Sequence, residues 1–138
     1  MADRFQVGIL EGARKDFMEL DGSVRPIVQK LIFKLKENAD TMGKELGNYH
    51  NAKLAGCREI KLLEAGIRIV YQITGEKVDV LEIVLILAIE KRKDFQVFKI
   101  ADKRLNELKV LPDKDVQETV KNALEVYGGL EFIRKKKK

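Results

Sequence analysis

At the start of the chain Phe5, Val7 and Ile9 alternate with Gln6, Gly8 and Leu10, and a period of two predicts a short strand. The period then lengthens. Ala13, Phe17 and Leu20 recur at helical spacing through EGARKDFMEL, and the DGS that follows ends this helix while offering Ser23 as a cap for the next. Pro26 falls in a first turn, where its missing N–H does no harm. Val24, Val28, Leu31 and Leu35, with Ile27 and Ile32 beside them, give that second helix one apolar face down to Asn38. The two helices read as an antiparallel pair. Residues 39–56 show little periodicity and several turn formers, which predicts a surface loop.

REIKLLEAGIRIVYQI, residues 58–73, reads as two strands around a tight turn. After GEK at 75–77, the run IVLILAI at 83–89 lacks clean alternation, as expected of a strand flanked by neighbours, covered on at least one face and central in its sheet. Val97, Ala101, Leu105 and Leu108 mark a third helix with Asp94 as its cap. Pro112 then breaks the chain, and Val116, Val120, Leu124 and Tyr127 mark a last helix that Gly128 and Gly129 stop. The order is strand, two helices, three strands, two helices: an α+β fold in which the helix pair packs on one face of a mainly antiparallel sheet.

The hairpin has a register. Ile60 and Leu62 must face the core with Ile67, Ile69, Tyr71 and Ile73, so Glu59, Lys61, Leu63, Arg68, Val70 and Gln72 share the other face. An even-numbered loop, either Ala65–Gly66 or the four residues 64–67, then sets Leu63 opposite Arg68, Lys61 opposite Val70 and Glu59 opposite Gln72. Lys61 and Arg68 become diagonal neighbours with Cβ atoms about 7–8 Å apart, a spacing at which an anion between them is favoured and phosphate is the natural candidate. An ordinary solvated sheet surface would carry charges in the same way, so the hairpin alone does not decide the matter.

Composition narrows the classes. At 138 residues, 45% hydrophobic and 36% charged, the chain fits one soluble globular domain with a core of its own, and no stretch reaches the apolar length of a membrane helix. MADRFQVGIL has no export signal, so a cytoplasmic address is expected. Cys57 stands alone and His50 is the one histidine, which excludes an internal disulfide and a Cys/His zinc cluster; no cofactor is expected, and any catalysis is either metal-free or uses a carboxylate-held ion. The net charge of +5 comes from residues 134–138, RKKKK; the rest of the chain balances 22 basic against 22 acidic residues. Overall basicity therefore gives no argument for a polyanion partner, and any such argument rests on local segregation of charge.

KLAGCREIKLLEAGIRIVYQI followed by AIEKRKDFQVFKIADKRL resembles the RelE/ParE superfamily of bacterial toxins, the toxin halves of type II toxin–antitoxin pairs, and within it the RelE branch. The likeness covers Phe5 to Leu108 in element order and is dense from Lys53 to Leu105. It implies a RelE-like toxin domain over residues 1–111, with 112–138 a C-terminal helix and basic tail added to the same domain. It also implies metal-independent cleavage of messenger RNA in the ribosomal A site, by attack of a ribose 2′-hydroxyl on the neighbouring phosphate. The implied partners are the ribosome, messenger RNA and a cognate antitoxin protein, with no membrane. Carried over by position, Lys61 and Arg68 match the family's sheet-face cations and Arg92 the arginine after the central strand, all three expected on the uncovered side of the sheet. Glu59 stands where a lysine is found in RelE itself and becomes a candidate base, with Glu45 a weaker alternative on the long loop. Phe98 stands where tyrosine is common and either stacks on a base or belongs to the core. Lys53 and Lys91 are candidate RNA-backbone contacts, His50 a loop surface residue, and Cys57 a buried small residue.

Two rival functions stay open. One is a ParE-like poison of DNA gyrase. The other is a non-catalytic nucleic-acid or partner-binding module whose acid–base set is lost at Glu59 and Phe98.

Overall fold

In the computed structural model, residues 3–49, 52–54, 56–62, 65–78, 81–91 and 96–136 are described, those at 48–49, 52–53, 78 and 131–136 by backbone alone. The alternating start forms β1 (Phe5–Ile9), and the helical spacings form α1 (Glu11–Met18) and α2 (Arg25–Asn38). Ser23 lies in the turn before α2 and does not cap it. The helix starts after Val24 with no side-chain cap, and Pro26 sits in its first turn as expected. The long connection is not a bare loop. It holds three two-residue strands, β2 (Lys44–Glu45), β3 (Asn48–Tyr49) and β4 (Ala52–Lys53), tied down by the buried side chains of Leu46 and Leu54.

The hairpin is β5 (Cys57–Leu62) and β6 (Ile67–Val78), and the apolar run lies within β7 (Leu81–Lys91). Five strands form one sheet in the order β1-β7-β6-β5-β2, parallel only between β1 and β7; β3 and β4 pair separately. β7 is flanked on both sides and every residue from Ile83 to Ile89 is buried.

Full burial of β7 requires cover on both faces, and two apolar clusters supply it. On one face Phe17 of α1 and Val28, Ile32 and Leu35 of α2 pack on Ile67, Ile69, Tyr71, Val84 and Ile86. On the other, Val97, Phe98, Ala101 and Leu105 of α3 (Gln96–Lys109) pack on Val70, Leu85, Leu87 and Ala88.

The last helix, α4 (Asp113–Lys136), runs through Gly128 and Gly129 instead of stopping there. It crosses the sheet edge at β1, with Ala123 in the second cluster and Tyr127 in the first, edge-on to Phe33 at 5.5 Å between ring centres. This close approach explains Gly8. A Cβ there would lie 3.0 Å from a Leu85 methyl and 3.1 Å from the Ala123 methyl. Gly8→Val therefore trades better strand propensity for a collision, and an expected loss of about 1–3 kcal/mol in urea unfolding follows; a variant as stable as the parent would mean that α4 is not seated on β1.

Candidate active site

The two strands of the hairpin pair with Leu62 across from Ile67, so the loop is the four residues 63–66. The faces are those expected, but the pairs are displaced by two positions. Lys61 lies directly opposite Arg68, not diagonal to it, and Glu59 lies opposite Val70. Both differences draw the charged groups closer together.

Glu59 is the centre of the resulting group. Its carboxylate is only 4% exposed, with Lys61 Nζ 3.7 Å from Oε1 and Arg68 Nε 4.0 Å from Oε2. Oε2 accepts no hydrogen bond among the described residues. Taking a carboxylate out of water is unfavourable unless cations and donors replace the solvent, and here two cations bracket it. Arg68 is itself buried, at 8% exposure, and its guanidinium lies over the Phe98 ring at 5.2 Å, a contact worth about 2 kcal/mol when desolvated. Lys61, at 40% side-chain exposure, carries the group's opening to solvent.

This corrects one expectation. The charged face of the hairpin is not the uncovered side of the sheet, because α3 packs on it and Glu59 and Arg68 sit where that second cluster meets the turn end of the hairpin. Phe98, 1% exposed, supports Arg68 from α3 and offers no free ring face to a base in this conformation.

The other candidates divide. Lys91 is exposed at the end of β7 and pairs with Ile67, so it belongs to the face opposite Arg68 and is not gathered with Lys61 and Arg68. Arg92 lies outside the described residues, in the segment between the end of β7 and the start of α3. Lys53 is placed by its backbone in β4, across from Asn48, and its side chain is outside the description, as is His50. Glu45 pairs with Arg58, 3.5 Å from its guanidinium, and therefore also faces away from Glu59. Cys57 is buried, and loss of solvent pushes its thiol up to about 11, as suits an inert core residue.

Two supporting arrangements were not foreseen. Past the end of β1, the outer backbone of β7 is satisfied by side chains: Ile89 N–H donates to Asp16 Oδ2 at 3.1 Å, and Arg104 Nη1 donates to Asp16 Oδ2 at 2.7 Å and to the Leu87 carbonyl at 2.8 Å. This pair, Asp16 buried and Arg104 half-buried, ties α1, β7 and α3 together at the end of β7. Glu90, directly across from Arg68, lies nearby, and burial followed by the Asp16 charge raises its carboxyl above the usual range. The second arrangement holds the start of β2. The Tyr71 hydroxyl lies 2.7 Å from the Ala39 carbonyl and 2.8 Å from that of Met42, while Arg58 donates to the carbonyls of Met42 at 3.0 Å and Gly43 at 3.2 Å. An inward-facing arginine and tyrosine on an otherwise apolar face were the only signals of this in the sequence.

A RelE-like toxin protein of Escherichia coli is 34% identical over 107 residues, spanning 74% of this chain and 98% of the relative. The chain belongs to the RelE toxin family. The mRNA interferase toxin RelE of E. coli K12 is 30% identical over 95 residues, 69% of this chain and 90% of that RelE. Among solved structures, a doubly arginine-substituted E. coli RelE in the free state gives a TM-score of 0.57 at 25% identity, covering 75% of this chain and 99% of its own. The same RelE mutant bound to a peptide of its antitoxin RelB gives 0.51 at 26% identity, covering 71% and 94%. No family model matches the chain. The mixed α+β architecture, four helices and a five-stranded sheet, is that of RelE toxins. Among the described residues no helix is long and apolar enough to cross a membrane.

Proposed function

We propose that the chain is the toxin of a toxin–antitoxin pair and cuts messenger RNA on the ribosome without a metal ion. The observation that carries this reading is the Glu59 carboxylate, buried between Lys61 and Arg68 with an oxygen that accepts no hydrogen bond among the described residues. A buried acceptor bracketed by cations suits a base whose substrate brings both the missing donor, a ribose 2′-hydroxyl, and the anion that the cations hold. Family membership and the names of its relatives support the same substrate.

In this reading Glu59 takes the proton of the 2′-hydroxyl as the 2′-oxygen bonds to phosphorus. The phosphorus–O5′ bond breaks, leaving a 2′,3′-cyclic phosphate and a 5′-hydroxyl, with Lys61 supplying the proton for the leaving oxygen. Arg68, which cannot lose its proton usefully near neutral pH, and Arg92 from the segment after β7 hold the charge that gathers on the phosphate. Lys53 and Lys91 remain candidate contacts along the RNA backbone. In the free protein Arg68 is occupied by Glu59 and the Phe98 ring, so substrate engagement includes drawing the guanidinium from one or both. A cognate antitoxin, as in the RelE–RelB complex, is the expected partner that silences the site.

The test is to map fragment ends and their chemistry in a cell-free translation reaction. Cyclic-phosphate and 5′-hydroxyl ends within codons at the ribosomal A site are expected. Intact message accompanied by gyrase-dependent DNA breaks would replace this reading with the ParE-like one. Intact message without such damage would leave the non-catalytic binding module.

A further inference from the structure

The strand β2 sets Lys44 directly opposite Glu59, and directly opposed residues share a face, so Lys44 stands on the same side of the sheet as Glu59, Lys61 and Arg68. Relative to Lys61 it occupies the diagonal position, with Cβ atoms about 7–8 Å apart. Lys44 is exposed and forms no ion pair among the described residues, whereas Lys61 is engaged by Glu59. The cations therefore form a row across three strands, β2, β5 and β6, with Glu59 set between Lys44 and Lys61.

The position of Lys44 is built, not incidental. Gly43 adopts φ +69°, which favours glycine, and a Cβ there would run into the Glu59 carbonyl. On the opposite face Arg58 and the Tyr71 hydroxyl hold the carbonyls of Met42 and Gly43. Two buried or half-buried polar side chains and a left-handed glycine thus fix a strand of only two residues whose outward product on the active face is one lysine.

Charge gives that lysine a task. Lys61 and Arg68 face two carboxylates, Glu59 alongside and Glu90 directly across from Arg68, so among the described residues they leave no surplus charge for a phosphate beside the one being cut. The diagonal spacing on the sheet is comparable with the separation of consecutive phosphates on an extended strand. Resting on the functional reading above, we infer that Lys44 is a substrate-positioning residue that grips the RNA phosphate adjacent to the one being cut. It acts on affinity and register, with no part in proton transfer.

The test uses the complete chain and ribosomes programmed with a message carrying a 2′-deoxynucleotide at the cut site, so that the complex binds without being cleaved. Lys44→Ala is expected to weaken binding by about 3- to 10-fold and to flatten the dependence of log affinity on log salt by about 0.7, the share of one phosphate contact on a single strand. Lys44→Arg is expected to restore both. On a cleavable message the Lys44→Ala loss falls on the half-saturating concentration and not on the rate at saturation. If Arg68→Ala weakens binding while Lys44→Ala leaves affinity and salt slope at parental values, the inference fails and the functional reading stands. A lowered saturated rate with unchanged affinity also overturns it. If the parent protein does not bind the programmed ribosome, the functional reading falls and the inference with it.

Discussion

Exchanging Glu59 for glutamine is expected to slow cleavage of ribosome-bound message by about 10²–10⁴-fold at saturating toxin, the range set by losing a positioned general base. Glutamine keeps the size of the side chain and its hydrogen-bonding oxygen but cannot hold a proton. The same change raises the formal charge of the Glu59, Lys61 and Arg68 group from +1 to +2, so binding of the message is kept or strengthened while the chemical step is lost. Single-turnover cleavage measured beside binding to an uncleavable message separates the two effects. Should Glu59 serve only as a counter-ion for Arg68, the saturated rate would stay within a factor of a few and the damage would appear in the melting temperature, which would remove Glu59 from the chemistry.

The second large effect lies away from the charged face. Asp16→Ala leaves the half-buried Arg104 guanidinium without its carboxylate and the Ile89 N–H without its acceptor. Breaking a buried pair from one side costs about 3–5 kcal/mol, and with Arg104 partly open to solvent and still bonded to the Leu87 carbonyl the urea midpoint should show the lower end of that range. Replacing both partners by apolar residues, Asp16→Leu with Arg104→Met, removes the orphaned charge and should recover most of the loss. A single variant within about 1 kcal/mol of the parent would show that solvent reaches Arg104 freely, and the pair would cease to count as a support of the β7 end.

Much of the architecture follows from periodicity. The switch from two to helical spacing after Ile9, and the return to two at Arg58, place every major element, and the even loop after Leu62 preserves the faces of the hairpin. The displacement by two positions was not legible because face assignment constrains only whether the loop is even, not how long it is. The cover over Glu59 and Arg68 had a signal of its own. A strand apolar on both sides, as at residues 83–89, needs a helix on each face, and the Val97, Ala101 and Leu105 stripe of α3 was available for the hairpin's charged side.

Other features lay beyond local reading. Gly128 and Gly129 lower helix propensity by about 1 kcal/mol each, but the seating of Ala123 and Tyr127 on the two sides of β1 carries α4 through them. The pairing of Asp16 with Arg104 joins residues 88 positions apart, a distance over which neither residue announces the other. Of the candidate site, Lys61, Arg68 and Glu59 come together, while Lys91 and Glu45 lie on the opposite face because each falls one position out of phase.

The parallel pairing of β1 with β7 sets an order of assembly. Val7 meets Val84 and Gly8 packs beneath Ala123, so β1 has no mate until β7 has been made and is not roofed over until α4 has followed. The β5–β6 hairpin, whose contacts span a dozen residues or so, can close long before. A nascent chain still threaded through the ribosome that is making it thus carries the charged hairpin before the completed sheet is there to brace it.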